Sequence, residues 1–526
     1  MFDKWLNLPA HLYLKLTALT ILTVGIALSN VLMSIGAIWI IANWLIEADF
    51  NNYWKRFKKA PSVWLVVGIF FFLAISLIWS TDFQYGFKDL RVKLPFIVIP
   101  LVLATSQPLK RIHFQFLLYV FLGIMLFTSV FNFVRFNFVL ESPQDIREMS
   151  TFISHVRYAV LINFAWIAAF ALIRKKNPIG LNIFLFLYAF WLFFYLYKSQ
   201  VINGYLLFIV LFGIFILFLT AKIQHKVKRN SVFVLLILAT CVTGWWANQK
   251  WHQFQSGEPI IYSELELYSP NGNPYFHDTL SSQLENGHFV WLYVNQEEMA
   301  KEWEWRSAIP YDSLDKKSQP MFGTLMRYLT SKGLRKDSSG VASLSTEEIQ
   351  MIEDGQTSIK TNAGFMSRLE AFVVEYAIYK DGGDPNGNSF NQRMEHLKAA
   401  VHILKSKWLW GVGVGDVPAT FDQAYADMNS LLNKENQHRS HNQFLTIWVT
   451  LGIIGFLGFL ALFIVPFFEV KQKDFLMVLF LLALFFSCLF QDFIETQAGV
   501  TIFGLFYGLA LYREKNKPDP LAQDGY

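Results

Sequence analysis

Apolar runs close to a bilayer's thickness recur along this chain, and they restrict it to a membrane fold. A helix needs roughly 20 apolar residues to cross the hydrocarbon core. Runs near that length lie at 12–29, 32–47, 62–79, 93–105, 114–137, 158–173, 181–197, 202–220, 232–246, 443–467, 475–490 and 497–512. The 93–105 run is short and suits a tilted or partly re-entrant segment. Lipid offers no partner to a bare peptide group, so helices are the expected form. The reading is an all-α polytopic membrane protein of about twelve transmembrane helices. Composition agrees, with 54% hydrophobic and 17% aromatic residues among 526, above the apolar share of soluble domains. The net charge of +5 is modest, and the basic residues cluster in short loops, which argues against a nucleic-acid partner. Cys241 and Cys488 both fall inside apolar runs, so neither a disulfide framework nor a thiolate metal site is expected. Lys4 precedes a long apolar region with a second run close behind and no small-residue cleavage site. The N-terminus therefore reads as a span and not as a cleaved signal peptide.

Loop charges give an orientation. Alternate loops carry Lys55, Arg56, Lys58 and Lys59; Lys110 and Arg111; Arg174, Lys175 and Lys176; Lys222, Lys226, Lys228 and Arg229; Lys471 and Lys473; and Arg513, Lys515 and Lys517. The intervening loops are mixed or acidic, with Asp82 and Asp89 beside Lys88, Arg91 and Lys93, Glu141, Asp145 and Glu148 beside Arg147 and Arg157, and Asp492 with Glu495. Basic loops stay on the cytoplasmic side, so both termini are expected there and the long polar region outside. The organisation predicted is an N-terminal membrane domain of about nine helices over 1–246, a large outer loop over 247–441, about three membrane helices over 442–512 and a tail over 513–526.

The outer loop reads as mixed α/β. Ile261, Ser263, Leu265 and Leu267 alternate with Tyr262, Glu264, Glu266 and Tyr268, a strand period ending at the turn Pro270-Asn271-Gly272-Asn273. A second strand is expected from His288 to Val294, after Asn286-Gly287. Helices follow over 297–306, 322–331, 346–353, 365–379, 390–404 and about 418–433, with Ser345 as an N-cap and Gly333 and Gly355 as stops.

Chemistry-bearing residues gather where this loop meets the next apolar run, in Gln437-His438-Arg439-Ser440-His441-Asn442-Gln443. An imidazole is largely a free base at neutral pH, and a helix N-terminus lowers its pKa further. His441 therefore suits a general base taking a proton from a hydroxyl; it equally suits an interfacial cap beside Ser440 and Asn442. Arg393 opens the helix that leads to Trp408-Leu409-Trp410-Gly411-Val412-Gly413-Val414-Gly415-Asp416. Its permanent charge and planar fork fit phosphate, as do, less specifically, Arg368, Arg439 and Lys405; an exposed helix-surface arginine is the plain alternative. Gly411, Gly413 and Gly415 follow no strand and lack dinucleotide-site spacing, so they read as a tight turn. Lys198-Ser199-Gln200, His155, Arg157, Arg91 and Lys93 flank other spans at the outer edge, where cations either snorkel or converge on an anion. No His-Glu-x-x-His, cysteine pair or Asp-x-Asp pattern marks a metal site. No cofactor is expected.

Three stretches, in this order, resemble the O-antigen ligase / O-antigen polymerase superfamily. They are Ile78-Trp79-Ser80 through Pro95 and Pro100; Arg393 with Trp408 to Gly415; and His441-Asn442-Gln443-Phe444-Leu445 with Gly452, Gly455 and Gly458. The resemblance implies a GT-C-like glycosyltransferase in a bacterial inner membrane, its large loop periplasmic. The implied donor is a glycan on undecaprenyl diphosphate, and the acceptor a hydroxyl of a glycolipid, glycan or protein. It further implies His441 as base and Arg393 as one diphosphate ligand without metal, with Arg439, Asn442, Glu495 and the three glycines in support. A family arginine is replaced here by Gln200, leaving Lys198 or Arg157 as substitutes. Ligase, polymerase and protein O-oligosaccharyltransferase share these motifs. A transporter or flippase of lipid-linked glycans is the alternative of another class, and would place ionisable groups or broken helices near the bilayer midplane. A sensor whose outer β element binds a ligand is a third reading, and one that would not need His441 and Arg393 together.

Overall fold

A computed structural model describes residues 10–514 except 141–145, 256–259, 282, 317–318, 360–371, 374–375, 377–378, 381, 383–384, 387–388 and 471–473. Arg368, much of the helix expected over 365–379, and Lys471 and Lys473 lie outside the described residues. The chain runs through α1 (Ala10–Leu28), α2 (Asn30–Glu47), α3 (Phe50–Phe57), α4 (Pro61–Ile75), α5 (Phe83–Val92), α6 (Leu94–Thr105), α7 (Arg111–Val134), α8 (His155–Leu172), α9 (Ile179–Ser199), α10 (Ile202–Ala221) and α11 (Lys226–Gln255). The hairpin β1 (Leu284–Glu285) and β2 (His288–Phe289) follows, then α12 (Gln296–Arg306), α13 (Met321–Ser331), α14 (Ser338–Ala342), α15 (Thr346–Glu353) and α16 (Ser389–Lys407). The last elements are α17 (Val417–Asp427), α18 (Gln443–Ile464), α19 (Pro466–Glu469), α20 (Phe475–Phe490) and α21 (Gln497–Leu511). Among the described residues, nine helices are long and apolar enough to cross a membrane: α1, α2, α4, α7 to α11 and α18. The apolar helices α20 and α21 are shorter, and α6 has only 12 residues. The chain is a multi-pass helical membrane protein.

The fold divides into two compact units, one of residues 1–141, 147–214 and 393–526, the other of 142–146 and 215–392. In the first, α21 is buried along its whole length from Ala498 to Leu511. It lies close to α6 because Gly504 and Gly508 face it; a Cβ at these positions would sit 2.8 Å from Pro95 O and 2.5 Å from Leu103 Cδ1. Small residues one turn apart are what lets membrane helices approach this closely. Phe164 and Phe506 stack at 4.2 Å between ring centres, and Phe444 meets Phe459 and Phe485 at 5.3 and 5.2 Å.

Hydrogen bonds sort this unit's loops into two sets. Arg56 Nη1 donates to Thr105 O at 2.7 Å, Ser62 N to Glu469 Oε2 at 2.8 Å and Glu514 N to Leu109 O at 2.9 Å, while Arg513 pairs with Asp474. These joins link loops from the basic set. Gln443 N donates to Gln491 O at 3.1 Å, and Asp416 binds Thr81 and Asp82; these join loops of the other set.

The second unit has a soluble-type core of Val290, Val294, Met299, Trp303, Met321, Leu325, Leu329, Val341, Ile349 and Ile352. Ser345 and Glu348 form a reciprocal capping box at α15, the arrangement that satisfies two orphan N–H groups at once. The strand expected over 261–268 does not form: Tyr262–Glu264 is a 3-10 turn. Ile261, Tyr262, Leu267 and Tyr268 are all more than half exposed or at that level, so the alternation has no buried face to select a register. Of the strand expected from His288 to Val294, His288–Phe289 pairs with Leu284–Glu285 and Val294 bridges Phe276 and Lys336; between them Val290 and Trp291 turn to place Val290 in the helical core. Helix α17 stops at Asp427, short of the expected 433.

Candidate functional site

The site is set by a break in α18. Asn442 caps this helix, its Oδ1 accepting from Leu445 N at 3.1 Å. Gly452 then leaves the helical region with φ 69° and ψ −167°. The break frees carbonyls that a membrane helix cannot leave unpaired. Those of Val449 and Thr450 accept from Val412 N (2.9 Å) and Gly413 N (3.0 Å), and Trp408 O accepts from Ile453 N (2.9 Å). Two backbones meet here, and a Cβ on Gly411 would stand 2.5 Å from Thr450 O. On its other side the same glycine-rich segment is pinned to the first half of the chain. Val414 N and Gly415 N donate to Ser76 Oγ (3.0 Å) and Ser80 Oγ (3.1 Å), and the Asp416 carboxylate accepts from Thr81 N (2.8 Å). Gly411, Gly413 and Gly415 are thus a joint, and none lines the pocket described next.

His441 sits in the turn that enters α18 with φ 51°. A non-glycine residue in this region costs about 1–3 kcal/mol and persists only where its surroundings over-determine it. They do so here: His441 N donates to Asp492 Oδ2 at 2.9 Å. Ser440 Oγ bonds Thr446 Oγ1 at 2.9 Å and Asn442 O at 2.8 Å, and Thr446 Oγ1 donates to Asp492 Oδ1 at 2.5 Å. Beside the ring opens a pocket of about 440 Å³ whose lining includes His441, Arg393, Arg157, Gln437, Phe421, Asp422 and Asp492. Arg393 Nη1 donates to Asn203 Oδ1 at 3.2 Å. The Arg157 Nε is buried with no hydrogen-bond partner. Arg157, Arg393 and Arg439 therefore converge with the imidazoles of His438 and His441 on one cavity. Burial, then the charge of Arg393 and the neighbouring His438, lower the His441 pKa to about 4, so the ring is neutral at physiological pH. Burial raises the Asp492 pKa.

A charge cluster anchors the same turn from behind. Lys93 Nζ lies 2.5 Å from Asp89 and 2.7 Å from Glu495. Arg439 pairs with Glu495 and bonds Tyr85 Oη, and Gln443 Nε2 donates to Glu495 Oε1 at 2.8 Å. Two cations and two carboxylates balance. Burial alone would raise the Glu495 pKa, but Lys93 and Arg439 outweigh it and hold the carboxyl well below its ordinary range. Arg439 reaches the pocket wall with its guanidinium committed to this cluster.

Several other candidates stand elsewhere. Lys198 is exposed, its Nζ 5.9 Å from the Phe194 ring centre, and Gln200 caps α9 in a left-handed conformation; neither is among the pocket's lining residues. The Arg393 partner from that turn is Asn203. Lys405 lies on exposed α16 surface. Three participants escape a linear reading. Asp492 was visible only as a loop acid, Asn203 carries no motif, and His396 follows Arg393 by three residues on α16, a spacing that puts both on one helix face.

A family model described as O-antigen ligase matches residues 342–460. That stretch holds Arg393, the glycine joint, His441 and the broken start of α18. Within a multi-pass membrane protein, residues 342–460 thus resemble an O-antigen ligase domain. No curated protein matches the chain.

Proposed function

We propose that this protein is a membrane glycosyltransferase of the O-antigen ligase type. It transfers a glycan from undecaprenyl diphosphate to an acceptor hydroxyl at the outer face of a bacterial inner membrane, and both termini are cytoplasmic. The observation that carries the reading is the convergence of His441, Arg393 and Arg157 on one pocket within a chain that matches this family. Arg393 and Arg157 hold the diphosphate, a doubly charged group for which paired guanidinium forks are suited. His441 takes the proton of the acceptor O–H. The acceptor oxygen bonds to the anomeric carbon while the bond from that carbon to the phosphate oxygen breaks, and the diphosphate leaves with the electron pair. A diphosphate is a good leaving group, so the demands that remain are deprotonation, alignment and charge stabilisation. Attack opposite the leaving group inverts the anomeric centre, and NMR of the product finding retention would overturn that step. Lys198 and Gln200 take no part.

The helix break at Gly452 is a feature that a transporter would also show. In this chain the Val449 and Thr450 carbonyls at the break accept from Val412 and Gly413, so the break is closed by backbone pairing, which favours the enzyme. The test is to replace His441 and Arg393 singly by Ala in cells and profile surface glycans and glycoproteins. Loss of transfer at normal protein abundance supports the enzyme; unchanged glycans in both variants remove it.

A further inference from the structure

Beside His441, outside the pocket lining that holds His441 and His438, stands a third imidazole. His396 is 1% exposed, and its ring centre lies 4.9 Å from that of His441 at an interplanar angle of 45°. Its Nε2 is 2.9 Å from the Asn436 carbonyl oxygen. A carbonyl only accepts, so Nε2 carries the ring hydrogen and the neutral ring keeps an unshared pair on Nδ1. That Nδ1 is buried and has no hydrogen-bond partner. A buried acceptor left unused costs about 1–3 kcal/mol, which calls for a use in another state of the site.

The base supplies that state. Once His441 has taken the acceptor's proton it is a buried cation beside Arg393. The Asp492 carboxylate already accepts from the His441 backbone N–H and from Thr446. The groups that face His396 are His441 and His438 from the turn before α18, Asp492 from the loop before α21, and Tyr425 from α17, with Arg393 and Glu395 along its own helix. Glu395 is committed to Lys398 and Ser430, and the Tyr425 hydroxyl donates to His438 O. The unshared pair of His396 is a buried, uncommitted acceptor at the base's flank, and its ring lies closer to His441 (4.9 Å) than that of His438 does (6.0 Å). A hydrogen bond needs the nitrogens about 3 Å apart, and rings whose centres lie 4.9 Å apart reach that separation when one side chain turns.

We propose that His396 is a positioning residue: its Nδ1 accepts the ring N–H of protonated His441 and stabilises the imidazolium formed during transfer. The inference rests on His441 being the base. Orienting and charge-sharing partners of a catalytic histidine act on the chemical step and not on substrate affinity.

The experiment uses full-length purified protein, the lipid-linked glycan fraction extracted from cells that lack it, and membranes of those cells as acceptor. His396→Phe keeps an aromatic ring and removes the acceptor; His396→Gln restores one. The expected result for His396→Phe is a kcat lower by roughly 10- to 100-fold, part of the 10²–10⁴ that a general base supplies. KM for the lipid-linked glycan stays unchanged, and the acid limb of kcat moves to lower pH because the imidazolium has lost its stabilisation. His396→Gln retains most of the rate. His396→Phe with wild-type kcat and an unmoved limb overturns the inference, as does His396→Gln as slow as His396→Phe at wild-type thermal stability. His441→Ala, run alongside, separates the two claims: wild-type transfer there would refute the base itself, whatever His396 does.

Discussion

Glu495→Gln isolates the charge cluster that carries the His441 turn. In the native cluster Lys93 and Arg439 balance Asp89 and Glu495, with separations of 2.5 Å and 2.7 Å from Lys93 to the two carboxylates. The amide keeps the volume and one partner for Gln443, but leaves two buried cations against one anion. Breaking a buried pair on one side costs about 3–5 kcal/mol, because the uncompensated charge stays desolvated; at about 1.4 kcal/mol per decade that is more than a hundredfold in the unfolding equilibrium. The assay is denaturant unfolding of the purified protein in detergent, followed by circular dichroism. Adding Lys93→Met to Glu495→Gln removes the surplus cation and is expected to recover at least half of the loss. Asp354→Asn breaks the pair of Lys316 with Asp354, whose side chains are 52% and 54% exposed; exposed pairs contribute about 0–1 kcal/mol, so this change calibrates the measurement. A loss below about 1 kcal/mol for Glu495→Gln, or a double variant no better than the single, would refute the argument from buried charge.

Three further outcomes follow from the same geometry. Gly452→Ala forces a Cβ into the left-handed position that meets the Leu409 carbonyl; the expected loss exceeds about 2 kcal/mol, read as a fall in melting temperature and folded yield, and a neutral effect would contradict the joint. Arg157→Ala is expected to raise KM for the lipid-linked glycan at least tenfold, about the 1.4 kcal/mol of one charged contact, whereas Lys198→Ala and Gln200→Ala leave it unchanged; the reverse pattern would move the anion site. In the free protein the His441 pKa lies at about 4, so kcat/KM should hold as pH falls through the ordinary histidine range and drop only near that value. Bound diphosphate offsets the Arg393 charge, so the acid limb of kcat should lie higher than that of kcat/KM; a kcat/KM limb at the ordinary histidine pKa would refute the burial argument.

Much of the membrane fold is legible because the signal is local. Each apolar run falls on a helix, most with ends within a few residues of the expected ones, although α11 extends from Lys226 to Gln255, well beyond the expected 232–246, and Ser345 announces the start of α15. The alternation over 261–268 misleads because a strand needs a face to bury, and whether a neighbour covers it is not written in the segment. The site is less legible for a related reason. His441 and Arg393 carry a residue-type signal, but their convergence depends on the Gly452 break and on the joint formed by Gly411 and Gly413, where two backbones far apart in sequence exchange hydrogen bonds. Arg439 reads as an anion ligand by type and proves committed to Glu495 and Tyr85. Lys198 and Gln200 read as pocket residues by position, and the left-handed turn at Gln200 brings Asn203 to Arg393 instead. His396 was within reach of a helical-face argument from Arg393; its buried, unshared nitrogen was not.

Chemical rescue of the base tests the central claim most directly. His441→Gly tolerates the left-handed backbone and removes only the imidazole, and transfer of lipid-linked glycan by the purified variant is measured with and without added imidazole. The account predicts a rate lower by about 10²–10⁴, partly restored by imidazole in proportion to its free-base form, with binding of the lipid-linked glycan intact. Wild-type transfer by the folded variant, or a lost rate that no concentration of imidazole raises, would contradict it.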